Sequence, residues 1–169
     1  MVRKIILYGN PILREKAQPV TSIDGKIASI LQDMEETMLA SSGIGLAGNQ
    51  VGVLLRLVTL VHPEKQKVLH LINPEIVEKS GNGDLQEEGC LSLPGLYAKV
   101  ERAEKTLVRA LDINGKEIQI AAEGLLARIL QHEIDHLNGA LFIDRLTPAR
   151  RLLINGKLKQ IARKEKGKS

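Results

Sequence analysis

Aromatic side chains are almost missing from this sequence. Tyr8, Tyr97 and Phe142 are the only three in 169 residues, and there is no tryptophan. A platform of rings for stacking nucleic-acid bases is therefore excluded as the main business of the chain, and the core must be aliphatic. Cysteine occurs once, at Cys90. No internal disulfide can form, which points to a reducing, cytoplasmic setting. No apolar run approaches the length of a membrane span. The start of the chain has Arg3 and Lys4 but neither an apolar signal core nor a small-residue cleavage site. Internal repeats, low-complexity tracts and linkers are also lacking, so residues 1–169 are read as a single domain.

What is present is unevenly charged. The chain carries a formal +4. Residues 149–169 hold eight Lys/Arg against one Glu, a net +7, which leaves sixteen basic and nineteen acidic groups, a net −3, in residues 1–148. A mildly acidic body thus ends in a basic C-terminal helix and tail over 149–169. Such a tail is either a solvated terminal helix or a contact for nucleic acid or a ribosomal surface.

Periodicity gives an α+β fold: antiparallel strands packed around a central helix, with N-terminal and C-terminal helices. Asn10-Pro11 opens a short helix to about Lys16. Ile27, Ile30, Leu31, Met34, Met38 and Leu39 follow a three-four spacing, predicting a helix over 24–41 with Asp24 as its N-cap and Gly43 as its stop. Gly43 to Gly52 reads as a glycine-rich loop. Strands are expected over 54–61 and 68–72, the latter broken by Asn73-Pro74, with 75–79 continuing beyond. Residues 80–84 read as a turn and Ser92-Leu93-Pro94-Gly95 as another. Further strands are expected over 96–100, 106–113 and 117–121, the last two joined by an Asn114-Gly115 hairpin. A second long helix covers 123–138, and a third runs from Pro148 to about Lys164.

The second long helix carries His132-Glu133-Ile134-Asp135-His136. Two histidines four apart share one helix face, so both imidazoles can reach one metal ion, with Glu133 beside it as proton carrier. Leu125, Leu126, Ile129 and Leu130 precede them and form an apolar wall. A catalytic metal usually has three protein ligands and one open position. Downstream there is no further histidine, only Asp144 and Glu165 as acidic candidates. Upstream, Cys90 is the candidate third ligand. One thiolate with two imidazoles suits zinc or iron(II). A non-catalytic, closed zinc site would need a fourth ligand from His62, His70 or a carboxylate. An ordinary metallopeptidase is the other competing reading. Asp135 faces away from the metal and is expected to pair with Arg102.

Three blocks in this order, Gly43-Ile44-Gly45-Leu46-Ala47-Gly48-Asn49-Gln50, Glu88-Gly89-Cys90-Leu91-Ser92 and His132-Glu133-Ile134-Asp135-His136, resemble those of the peptide deformylases. The likeness spans nearly the whole chain. It departs at Gly48, where the family usually has alanine, a change expected to loosen the loop without removing a catalytic group.

The resemblance implies a metal-dependent hydrolase that removes the formyl group from N-formylmethionine of new polypeptides. It implies Cys90, His132 and His136 as metal ligands, and iron(II) as the ion, with nickel, cobalt or zinc as substitutes. It further implies Glu133 as the proton carrier, with the Gln50 side chain and the Leu91 backbone N–H as oxyanion donors. Ile44, Gly45 and Gly89 would hold an extended peptide by main-chain groups. Ile44, Leu125, Ile129 and the flank of His132 are the candidates for the methionine pocket, and Arg128 is expected to snorkel to its rim with its stem still able to line the pocket. The implied partners are N-formylmethionyl nascent peptides and, through the basic C-terminal helix, the ribosome. No membrane partner is implied, and the chain is expected to be a cytoplasmic monomer.

Overall fold

The computed structural model describes residues 1–167. Lys168 and Ser169, the end of the basic tail, lie outside the described residues. The elements in chain order are α1 (Gly25–Ala40), β1 (Gly45–Ala47), β2 (Leu57–Val61), β3 (Val68–Lys79), β4 (Gly83–Cys90), β5 (Leu93–Ala103), β6 (Lys105–Leu111), β7 (Glu117–Glu123), α2 (Gly124–Leu137) and α3 (Pro148–Lys166), with 3-10 turns at Pro11–Arg14, Gly48–Val51 and Phe142–Arg145. The strands form a five-stranded sheet of order β1-β2-β3-β6-β7 and a two-stranded hairpin, β4-β5. Every ladder is antiparallel, as expected for an α+β chain with short connections.

α2 runs between the two sheets. Its residues from Leu126 to Leu137 are all buried, polar ones included. Leu126, Ala127, Leu130, Ile134 and Leu137 pack on Val58, Leu60, Leu71, Val108 and Ala110 of the large sheet. The opposite face of that sheet is covered by α1, whose Ile27, Ile30, Leu31, Met34 and Met38 meet Leu46, Leu57 and Ile72. Covered on both faces, β2 is buried almost throughout. A third cluster forms under the hairpin, where Leu93, Leu96 and Val100 meet Phe142, Ile143 and the α3 residues Ile154, Leu158 and Ile161. With so few rings available, the three clusters are built mainly from aliphatic side chains, and the one phenylalanine, Phe142, is fully buried among them.

The helices fall where their signals stand. Asp24 caps α1 by accepting from the N–H groups of Lys26 and Ile27, at 3.0 Å each. The α1 stop lies one residue earlier than expected: Ser42, not Gly43, takes the left-handed conformation (φ 54). Bonds from Ser42 N to Leu39 O (3.1 Å) and from Gly43 N to Met38 O (2.9 Å) close the end. The N-terminal helix expected to Lys16 is a single 3-10 turn ending at Arg14.

The strands departed further from expectation, each time because a tertiary partner overrode the local signal. Residues 54–56 are not part of β2. They pair instead with the N-terminal segment, through Gln18 N to Leu54 O and Arg56 N to Gln18 O, both 2.9 Å. Pro74 does not break β3. The strand passes it through a register shift between Ile72 and Glu75, with Asn73 at φ 52 and its side-chain amide bonded to both Val20 N (2.8 Å) and Val20 O (2.9 Å). Residues 83–90, polar and poor in strand formers, are nonetheless the strand β4, held by its partner β5. The tight turn of that hairpin is Leu91-Ser92, because Cys90 already pairs with Leu93. The Pro94 segment, expected as a turn, lies within β5, which among the described residues pairs only with β4 and so tolerates the missing donor. The glycine-rich segment is not all loop either: it contains β1 and the 3-10 turn that carries Gln50. At Gly48 a Cβ would stand 2.6 Å from Val53 O and 2.7 Å from Leu55 O. Glycine here lets the 53–55 backbone close down on the turn, sealed by Val53 N to Gly48 O at 2.9 Å. The expected loosening is not what this position does.

Candidate metal centre and active site

Three elements meet at one point. α2 supplies His132, Glu133 and His136. The last residue of β4 supplies Cys90, and the 3-10 turn after β1 supplies Gln50. The two imidazole rings stand 5.0 Å apart, centroid to centroid. Cys90 Sγ lies 3.3 Å from His136 Nε2, and the ligand atoms of Cys90, His132 and His136 all lie within 4.8 Å of one another. His132 turns its Nδ1 to Glu88 Oε1 at 2.8 Å, which leaves Nε2 free to face the same point. Two nitrogens and one sulfur around a shared centre are a fitting donor set for a tetrahedral ion with one position left open.

The other ligands considered lie elsewhere. His62 Nδ1 accepts from Lys65 N at 3.3 Å, His70 pairs with Glu35 at 2.8 Å, Asp144 with Arg14 at 2.5 Å, and Glu165 accepts from Asn10 at 3.2 Å. Among the described residues no fourth protein ligand joins the three, so the closed zinc site finds no support.

Charge around the centre is arranged in a buried chain. Glu88 accepts from Arg102 Nε (2.9 Å) and Nη2 (3.0 Å) and from Arg128 Nη1 (2.7 Å), besides its bond to His132. Arg102 also reaches Asp135 at 2.5 Å, the pairing the sequence pointed to, and Asp135 takes two further bonds from Arg145 at 2.7 and 3.1 Å. Burial raises the Glu88 carboxyl, but the bonds from His132 and Arg102 outweigh it and hold the group down at about 2. Burial pushes Glu133 the other way, up to about 7. Its Oε2 is buried and has no hydrogen-bond partner among the described residues. His136 is driven well below the usual histidine range by burial and by the neighbouring His132. His132 is raised despite burial, through its bonds to Cys90 and Glu88. A bound cation requires both rings neutral and would displace that proton.

Gln50 is held at both ends. Its Oε1 accepts from Ala47 N at 2.9 Å, and its Nε2 donates to Ser92 Oγ at 3.2 Å and faces Cys90 Sγ at 3.5 Å. The amide therefore presents N–H, not oxygen, to the centre. Gly45 runs directly beside Glu133, so close that a Cβ there would collide with the carboxylate.

Gly45, Gln50, Glu88, Cys90, His132 and Glu133 line a cavity of about 490 Å³, a size ordinary for a small-molecule or peptide site. Every residue expected to bind substrate lines it, Ile44, Gly45, Gly89, Leu125 and Ile129, and so does Leu91, expected as an oxyanion donor. Arg128 also lines it, but it does not snorkel. Its side chain is 7% exposed and is bonded to Glu88, Val100 O and Asp84 O. Glu88 is the residue the sequence reading passed over. Had residues 83–90 been recognised as a strand, the two-residue period would have put Glu88 and Cys90 on one face. Phe142 and Ser92 were also not foreseen. Phe142 stacks on the His132 ring at 6.0 Å and 23°, and Ser92 bonds Gln50.

The polypeptide deformylase model matches residues 2–152. The chain belongs to the polypeptide deformylase family. A peptide deformylase of Halothermothrix orenii is 53% identical over 145 residues, covering 86% of this chain and 92% of that one. One from Thermodesulfovibrio yellowstonii is 47% identical over 161 residues, covering 94% and 97%. The crystal structure of the Thermus thermophilus peptide deformylase superposes with a TM-score of 0.91 at 40% identity, covering 97% of this chain and 99% of that one. The plant peptide deformylase PDF1B gives 0.94 at 36% identity, covering 99% and 92%. These are whole-chain likenesses, so the α+β fold around a central helix is that of the family.

Two outcomes follow from the charge chain. Arg102→Ala leaves Glu88 and Asp135 short of a buried partner and should destabilise the protein by about 3–5 kcal/mol, with loss of bound metal. Denaturant unfolding and metal analysis check this, and unchanged values for both would exclude the role. Because Glu88 lies near 2 when folded and at an ordinary 4.5 when exposed, its contribution is complete above pH 4.5 and is lost as the pH falls toward 2, by about 3 kcal/mol in all. Denaturant midpoints measured from pH 6 down to 3 should fall through that window.

Proposed function

We propose that this chain hydrolyses the formyl group from N-formylmethionine at the start of newly made polypeptides, releasing formate, with residues 1–169 acting as one catalytic domain. The observation that carries the reading is the open Cys90–His132–His136 triangle with an unpartnered, buried Glu133 carboxylate beside it at the floor of the cavity.

Each residue has a definite task in this proposal. Cys90, His132 and His136 hold one metal ion. When bound, such an ion acts as a Lewis acid and lowers the pKa of water toward about 7. Glu133 takes the proton of the attacking water on its free oxygen and later delivers it to the amine nitrogen as the C–N bond breaks. A carboxyl near 7 suits both duties. Gln50 Nε2–H and the Leu91 backbone N–H donate to the oxygen that becomes negative on the former formyl carbonyl. Ile44, Gly45 and Gly89 bind the peptide as an added strand. Ile44, Leu125 and Ile129 take the methionine side chain.

We propose iron(II) as the ion, with nickel, cobalt or zinc as substitutes. The donor set accommodates all of them, and the family resemblance favours iron. The chain is proposed to act as a cytoplasmic monomer. No helix among the described residues is long and apolar enough to cross a membrane.

The test is formate release from N-formyl-Met-Ala-Ser by protein prepared without air and loaded with iron(II) or nickel. Formate with an intact deformylated peptide is expected, and cleavage of the peptide bonds would replace the reading with a peptidase. Glu133→Gln should lose about 10²–10⁴-fold in kcat while retaining its metal. Gln50→Ala should lose about 10²–10³-fold.

The basic helix is proposed to contact the ribosome. Ile154, Leu158 and Ile161 of α3 belong to a core cluster, so deleting 149–169 would unsettle the fold. Reversing the exposed charges of Lys157, Lys159 and Arg163 is the cleaner experiment. Ribosome pelleting should weaken in that triple variant and with rising salt. Equal pelleting of both proteins would overturn the contact.

A further inference from the structure

One wall of the cavity is not what its neighbours would suggest. Leu125, Arg128, Ile129 and His132 fall at i, i+3, i+4 and i+7, a single face of α2 that lines the cavity. Three of the four are ordinary for an apolar pocket beside a metal ligand, and the fourth is a guanidinium.

Arg128 is also not free to swing away. Nη1 donates to Glu88 Oε2 at 2.7 Å and to Val100 O at 2.8 Å, and Nη2 donates to Asp84 O at 2.6 Å. Bonds to β4 and β5 thus fix the plane of the guanidinium and hold its stem against the cavity. Its Nε–H takes no part in these bonds and has no acceptor among the described residues. It is also not one of the polar atoms sealed away from solvent without a partner. The residue as a whole is only 6% exposed. The lining of the cavity thus includes a guanidinium whose plane is fixed and whose Nε–H is unused.

We propose that Arg128 determines specificity for the first side chain of the substrate: its Nε–H receives an acceptor at the end of an unbranched chain, so that the pocket admits methionine sulfoxide as well as the thioether. The inference rests on the deformylase reading and deepens it. A sulfoxide oxygen entering a wholly apolar pocket would lose its hydration with no replacement and be rejected. A donor already fixed in place replaces the lost water at little ordering cost. A thioether sulfur is a weak acceptor and gains less. Norleucine, the methylene counterpart, gains nothing. The reaction is unchanged: water cleaves the formyl C–N bond, formate leaves, and the proton goes to the amine. A cell exposed to oxidants makes such oxidised methionine ends.

The experiment measures kcat/KM for formate release from formyl-Met-Ala-Ser, formyl-norleucine-Ala-Ser and the formyl-methionine sulfoxide peptide. Wild type, Arg128→Met and Arg128→Lys are compared. Wild type should process the sulfoxide at least as well as norleucine. In both variants the sulfoxide-to-norleucine ratio should fall about ten-fold or more, the loss of one hydrogen bond to a strong acceptor. Arg128→Lys keeps a cation near Glu88 but has a methylene where arginine has Nε–H, and so separates loss of that donor from loss of charge. A wild-type ratio below one, or an unchanged ratio in either folded variant, overturns the proposal. If neither variant folds, the wild-type ratio decides alone. Absence of formate from the formyl-Met peptide itself overturns the deformylase reading, a different failure from rejection of the sulfoxide alone.

Discussion

A carboxylate taken out of water needs every lone pair answered, and Glu88 meets that demand with two arginines and a histidine drawn from two other elements. Arg102 comes from β5, Arg128 and His132 from α2, and Glu88 itself from β4. The hairpin and the helix cannot separate without stranding these charges. Ion pairs of this kind add little net stability compared with a well-packed apolar substitute, yet losing one member is costly. What they provide is position. The same carboxylate that ties the hairpin to α2 selects which nitrogen of His132 faces the metal point, and Cys90 stands two residues further along the same strand. Ligand geometry and sheet docking are consequences of one constraint.

Against that background the state of Glu133 stands out. Its neighbours Glu88 and Asp135 are saturated with donors, whereas Glu133 has a buried oxygen with none. Burial without compensation raises its proton affinity to the range where it can both accept and return a proton near neutral pH. The contrast between satisfied and unsatisfied carboxylates around one helix is what the proposed role of Glu133 as proton carrier rests on. Gln50 is tied to Ala47 through its carbonyl and turns its amide N–H toward the centre.

How much was legible beforehand depended on whether the signal was local. The helices were, because capping and three-four periodicity are written within a dozen residues. Asp24 and the stop before Gly139 fall at the helix ends within a residue or so. The metal triad was legible for a similar reason at one end, since i and i+4 on a helix fix the two histidines. Cys90 could be named only as a candidate, and the roles of Gln50 and Leu91 came only with the three-block family resemblance. β4 was invisible, because a strand of Gly, Asp, Gln and Glu has no intrinsic preference for extension and exists through its pairing with β5. With β4 unseen, Glu88 had no face, and the Arg128 guanidinium, expected at the pocket rim, had no acceptors to hold it inside.

The sequence by itself determined the aliphatic core, the single unpaired cysteine, the amphipathic helices and the spacing that makes α2 a metal-binding helix. These depend on composition and on periodicities shorter than two turns. Only the tertiary structure decided which strand faces that helix, which carboxylates are answered and which keeps a buried oxygen without a partner among the described residues, and how the Arg128 guanidinium is held with its Nε–H unspent. Each of those depends on groups far apart in the chain whose charges must be neutralised together once water is excluded.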